Sequence, residues 1–115
     1  MNQSIRIFGN WVEATLQVLF LQEKGFIIAF SPALQLSAYG HNVGDAKAAF
    51  ETTIKIFFQE LVKDHELTNE LVSLGWKSND HEFHRESFLQ DLFANEKIPI
   101  TILQQQSEHF RTTIA

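Results

Sequence analysis

The densest run of groups able to do chemistry is Asp80-His81-Glu82-Phe83-His84-Arg85-Glu86. On a helix, His81 and His84 share one face at i and i+3. Two imidazoles contribute to a zinc or nickel site, but such a site needs a further ligand, and none stands at a diagnostic spacing. The plainer reading is an exposed charged segment. His41, His65 and His109 are isolated, with His41 beside a helix start and His65 near a helix end. Gly40-His41-Asn42-Val43-Gly44 places two glycines before a helix, where backbone amides favour anions. It lacks the Lys and Ser/Thr of a phosphate-binding loop, so its glycines fit a turn better. No Gly-x-Ser-x-Gly elbow occurs. The chain has no cysteine, which excludes disulfides and thiolate metal ligands and suits a reducing cytosol. These residues predict a protein that is not an enzyme and holds no metal or cofactor.

The elements that would position these groups follow from periodicity. Val12, Ala14, Leu16, Val18 and Phe20 alternate with Glu13, Thr15 and Gln17, which predicts a half-buried strand over 11–22. Glu23-Lys24-Gly25 makes a turn. Phe26 to Phe30 is apolar on both faces and predicts a central strand. Pro32 lacks an amide donor and breaks it. Leu34 to Tyr39 alternates again, and Gly40 ends a third strand. Short links make an antiparallel meander the economical topology. The period then changes. Asn42 followed three positions later by Asp45 is a variant capping box. Ala46, Phe50, Ile54, Phe57 and Leu61 follow at helical spacing opposite Lys47, Glu51, Lys55, Gln59 and Lys63, predicting an amphipathic helix over 43–64. A second helix is expected over 66–74, with Gly75 as its C-cap and Trp76 docking back on the domain. Phe83, Phe88, Leu89, Leu92 and Phe93 suggest a further short helix. Two short strands, 99–103 and 110–114, are expected around a polar turn at 104–107. No Pro, Gly or Ser linker divides the chain, so one α+β domain over 1–115 is expected, with its core at 11–64.

This order and its punctuation resemble the HicB family of antitoxins. The features are Gly25-Phe26, Ser31-Pro32-Ala33-Leu34, Gly40 and Asn42-Val43-Gly44-Asp45-Ala46, and the likeness covers roughly residues 11–64. The resemblance implies a βββα fold like a cut-down ribonuclease H. It also implies a role as partner of HicA, a small basic ribonuclease that cleaves messenger RNA. Ribonuclease H chemistry gathers several carboxylates around two metal ions. Before the long helix the chain offers only Glu13, Glu23 and Asp45, of which only Glu13 projects from a strand centre. A metal-dependent hydrolase is therefore the weaker alternative. Many HicB proteins add a DNA-binding segment. After Gly75 no basic recognition helix is visible, which leaves an orphan family member with no toxin as a further reading.

The net charge of −5 lies wholly in the second half. Residues 1–50 carry three basic and three acidic groups, and residues 51–115 carry six and eleven. No basic cluster exists to neutralise phosphates, so direct nucleic-acid binding is not expected. No apolar run is long enough for a membrane helix, and the N-terminus carries no signal-peptide pattern. Trp11, Glu13, Thr15, Gln17, Gln35, Ser37 and Tyr39 are predicted on the sheet face away from the helix. Trp and Tyr among small polar groups suit a protein interface. The same face is equally open to cover by the second helix or the C-terminal segment. In a homo-oligomer, edge strands would pair between subunits.

Overall fold

The alternation from Trp11 onward forms the strand around which the rest assembles. In a computed structural model, which describes residues 2–80, 82–86 and 101–114, the elements are β1 (Asn2–Phe8), β2 (Trp11–Glu23), β3 (Phe26–Ser31), β4 (Leu36–Gly40), α1 (Val43–Lys63), α2 (Leu67–Ser73), β5 (Lys77–Asn79), β6 (Glu82–Glu86) and β7 (Thr101–Thr113). The fold is α+β, with a large antiparallel sheet and one main helix. The expected three-stranded meander is present as β2–β3–β4, but it is part of a sheet of seven described strands.

β7 runs along β2 from Trp11 to Gln22 and fills one edge. β1 pairs with Trp11–Thr15 and β3 with Leu19–Glu23, so these two share the other edge end to end. β4 continues beyond β3, and β6 and then β5 continue beyond β1. Both β2 hairpins close with two-residue turns. In the second, Lys24 and Gly25 take φ of 47° and 84°, the left-handed pair that matches strand twist.

Where β1 and β3 meet, the Gln17 amide has no strand opposite it. The Gln3 Oε1 accepts it at 2.9 Å, and both residues are buried. A side chain thus completes the ladder, as a buried amide requires.

One face of the sheet carries the main core. Val12, Ala14, Leu16, Val18 and Phe20 from β2 meet Ala46, Phe50, Ile54 and Phe58 of α1. Phe58, rather than the expected Phe57, is the fully buried aromatic of that turn. Asn42 caps α1 by accepting the Asp45 amide at 2.8 Å. Gly40 lets α1 start against β4, since a Cβ there would overlap the Asp45–Ala46 backbone. Trp76 docks as expected, its Nε1 donating to the Ala33 carbonyl at 3.0 Å.

Several expectations need correction. The first strand, Asn2–Phe8, was not anticipated. Phe83 lies in β6, not in a helix, because β6 pairs with β1; Phe88, Leu89, Leu92 and Phe93 lie outside the described residues. The expected turn at 104–107 is instead the middle of β7, which β2 holds extended with one irregularity opposite Phe20/Leu21. The third strand starts at Leu36, because Gln35 has φ 55° and belongs to the turn. No helix among the described residues is long and apolar enough to cross a membrane.

Candidate functional site

Both helices pack on the inner face, α2 through Leu67 and Leu71. On the outer face, register alone brings side chains from four strands into rows. One row runs Glu82, Arg6, Glu13, Arg111 across β6, β1, β2 and β7. Charges alternate along it. Arg6 Nε lies 2.9 Å from Glu82 Oε1, and Arg111 Nε lies 3.7 Å from Glu13 Oε1. These pairs are solvent-exposed, so each contributes at most about 1 kcal/mol. Their main effect is to make the patch locally neutral.

The neighbouring row runs His84, Ser4, Thr15, His109. Thr15 Oγ1 and His109 Nδ1 share a hydrogen bond at 3.2 Å, and His84 Nε2 approaches Glu82 Oε2 at 3.3 Å. On the other side, Phe8 pairs with Trp11 at the β1–β2 hairpin end. The Arg111 guanidinium sits 4.3 Å from the Trp11 ring centroid and 5.8 Å from that of Phe8. Cation–π attraction and the Glu13 carboxylate together hold Arg111 flat against the sheet. Trp11 stays 38% exposed and Phe8 41%.

Among the predicted interface residues, Trp11, Glu13 and Thr15 come together in this patch. Gln17 points the same way but is 3% exposed, so it is part of the interior. Ser37 and Tyr39 do lie on the outer face, but on β4, beside β3 and the far end of β2. Between the two groups lies a second apolar cluster of Leu19, Leu21 and Ile28 with Phe30. Thr15 and Leu21 are six residues apart, roughly 20 Å along a strand. The predicted face is therefore two places, and Gln35 belongs to neither because it sits in the turn.

Arg6, Phe8, His109 and Arg111 belong to this patch but are not among the predicted interface residues. Ser4 to Phe8 alternates in the sequence, and that signal was available. Nothing local marks His109 or Arg111, whose neighbours on β2 are some ninety residues away.

Among the described residues, no group of three or more His, Asp or Glu side chains converges as a metal site would require. His84 lies in a strand rather than on the expected helix, and His81 is outside the described residues. Comparison with protein-family models, curated proteins and solved structures finds no match for this chain.

Proposed function

We propose that this protein is a non-catalytic, antitoxin-like binding module that neutralises a small basic ribonuclease of the HicA type. The observation that carries the reading is the Phe8–Arg111–Trp11 cluster. It exposes two large aromatics and an Arg on a rigid sheet face on which neither described helix packs. Trp and Arg anchors of this kind dominate the energetics of protein interfaces, and the neutral ladder beside them leaves no unpaired charge to desolvate. The order β2–β3–β4–α1 supports the family reading, since it is the order the HicB resemblance implies.

Acidic residues gather elsewhere, at Glu60, Asp64, Glu66 and Glu70 where α1 gives way to α2. That excess attracts a basic partner over distance, while the outer face makes the contact. The alternating charges on the outer face do not resemble a phosphate-binding surface, which favours a protein partner over RNA.

The test is co-expression with the product of the adjacent reading frame. A short basic protein that arrests growth alone, and that is silenced by and co-purifies with this chain, supports the proposal. Recovery of no such partner leads instead to an interaction domain that works without a toxin.

A further inference from the structure

Among the described residues β7 has one strand neighbour, β2. One bond determines which backbone groups of β7 face outward. The Gln17 amide reaches Gln3, so odd-numbered residues of β2 turn their backbone toward β1 and β3. Antiparallel ladders alternate. Even residues of β2 therefore bond β7, and Ser107, His109, Arg111 and Thr113 of β7 turn theirs away. Two other bonds agree. The Thr113 carbonyl accepts from Gln59 Nε2 on the outer side, and the Ile114 amide donates to the Asn10 carbonyl on the β2 side.

Natural sheets blunt such an edge with Lys, Pro or bulges. Thr101–Thr113 contains no Lys and no Pro. Its irregularity falls at Leu103, near its start, because Phe20 faces Gln104 while Leu21 faces Ile102. From Gln104 onward the ladder is regular. Beside residues 109–113 an open groove of about 570 Å³ separates the strand from Glu51, Thr52 and Lys55 of α1, which leaves room for another strand.

We propose that this groove receives β7 of a second copy, giving a two-fold dimer paired antiparallel over Gln105–Thr113 with its axis at His109, in which the Thr113 carbonyl exchanges Gln59 Nε2 for the Gln105 amide of the second copy. The inference is independent of the toxin-masking reading. A two-fold perpendicular to the sheet keeps odd residues opposite odd ones, so outward groups of one copy meet outward groups of the other. Register follows from the charges and the irregularity. An axis at Glu108 opposes two carboxylates, and one at Arg111 opposes two guanidiniums. An axis at Phe110 sets His109 against Arg111. An axis at Ser107 sets Arg111 against the irregular Leu103. The axis at His109 sets Arg111 opposite Ser107 and Glu108 opposite Phe110, and it uses the regular ladder to the end of the strand. Both outer faces then lie on one side, so the dimer presents two Trp11–Arg111 clusters together.

Sedimentation equilibrium of the full chain at mildly alkaline pH tests this. The wild type is expected at twice its 13.2 kDa mass. Ser107 is exposed, so substitutions there leave the monomer fold intact, which circular dichroism checks. Ser107→Glu places a carboxylate opposite Arg111 of the partner copy and tightens the dimer. Ser107→Arg opposes like charges and weakens it by about tenfold. His109→Pro removes an outward amide and no backbone bond to β2, and dissociates the dimer; His109→Ala, which loses the same side-chain bond to Thr15 but keeps the amide, leaves it paired. A wild type that stays monomeric at every concentration overturns the proposal. So do Glu and Arg at 107 acting alike, or a dimer that survives His109→Pro.

Discussion

At the scale of single residues, a few side chains do what backbone geometry alone cannot. Gln3 is the clearest. Its amide oxygen completes the ladder at Gln17, where β1 stops short of β3. Gln3→Leu keeps the volume but strands a buried N–H, at a cost of about 1–3 kcal/mol. Urea unfolding of that variant measures it, and a cost near zero would show that the bond is dispensable. Gly40 is a second case. A methyl group there meets the start of α1, so Gly40→Ala is expected to lose about 1–3 kcal/mol through overpacking. Gly9→Ala, with nothing near its added carbon but φ 57°, should lose only about 1 kcal/mol through backbone strain. Comparing the two by thermal melts separates packing from conformation. For the proposed binding face, Arg111→Ala is expected to weaken partner association by about tenfold or more, because it removes the group between Trp11 and Phe8 and unpairs Glu13. Isothermal titration with the co-purified partner reads it directly.

At the scale of elements, the helix and the last strand are tied by the Lys47–Glu108 ion pair at 3.0 Å. The hydrogen bond to Glu108, and then its charge, raise the Lys47 pKa above the ordinary lysine value of 10.5. A cation whose pKa is raised on folding contributes fully below its unfolded pKa and loses that contribution as pH climbs through the folded one. The ammonium is well exposed, so solvent screening keeps the effect small. Above pH 10.5 the wild type should lose more stability than Lys47→Met, and the two should run parallel at lower pH. Denaturant midpoints across that range check the difference.

The elements also show what a local pattern can and cannot reveal. β2 and α1 were legible because each buries one face against a large core, and that imprints a period on Val12–Phe20 and on Ala46–Phe58. The Asn42–Asp45 cap and the Lys24-Gly25 turn were legible because their chemistry is local. β5 and β6 were not, and β7 was legible only toward its ends, where strands over 99–103 and 110–114 are expected. Lys77-Ser78-Asn79 has no apolar residue, β6 has only Phe83, and β7 carries a run of glutamines. β6 and β7 are held extended by pairing with β1 and β2, from residues distant in the chain, and β5 by pairing in turn with β6. The site divides in the same way. Trp11, Glu13 and Thr15 could be read from β2, whereas Arg111 and His109 arrive only through the fold.

At the scale of the molecule, the two faces of the sheet have different work. The inner face is closed by α1 and α2 and carries the stability. The outer face, at the β1–β2–β7 end, carries balanced charge and exposed aromatics. The net charge of −5 is expressed mainly elsewhere on the surface. Raising the salt concentration should therefore slow association with a basic partner more than it speeds dissociation, because steering is screened while the aromatic contact is not. Surface-plasmon rate constants at two ionic strengths check this.

If the Trp11 end of the outer face masks a basic ribonuclease, titrating that enzyme reads the masking. RNA cleavage by the product of the adjacent reading frame is followed as wild type, Trp11→Ala or Tyr39→Ala is added. Wild type and Tyr39→Ala are expected to inhibit alike, since Tyr39 lies at the other end of the face, while Trp11→Ala inhibits at least about tenfold less well. Inhibition that is unchanged by Trp11→Ala, or absent with the wild type, would rule out masking by this face.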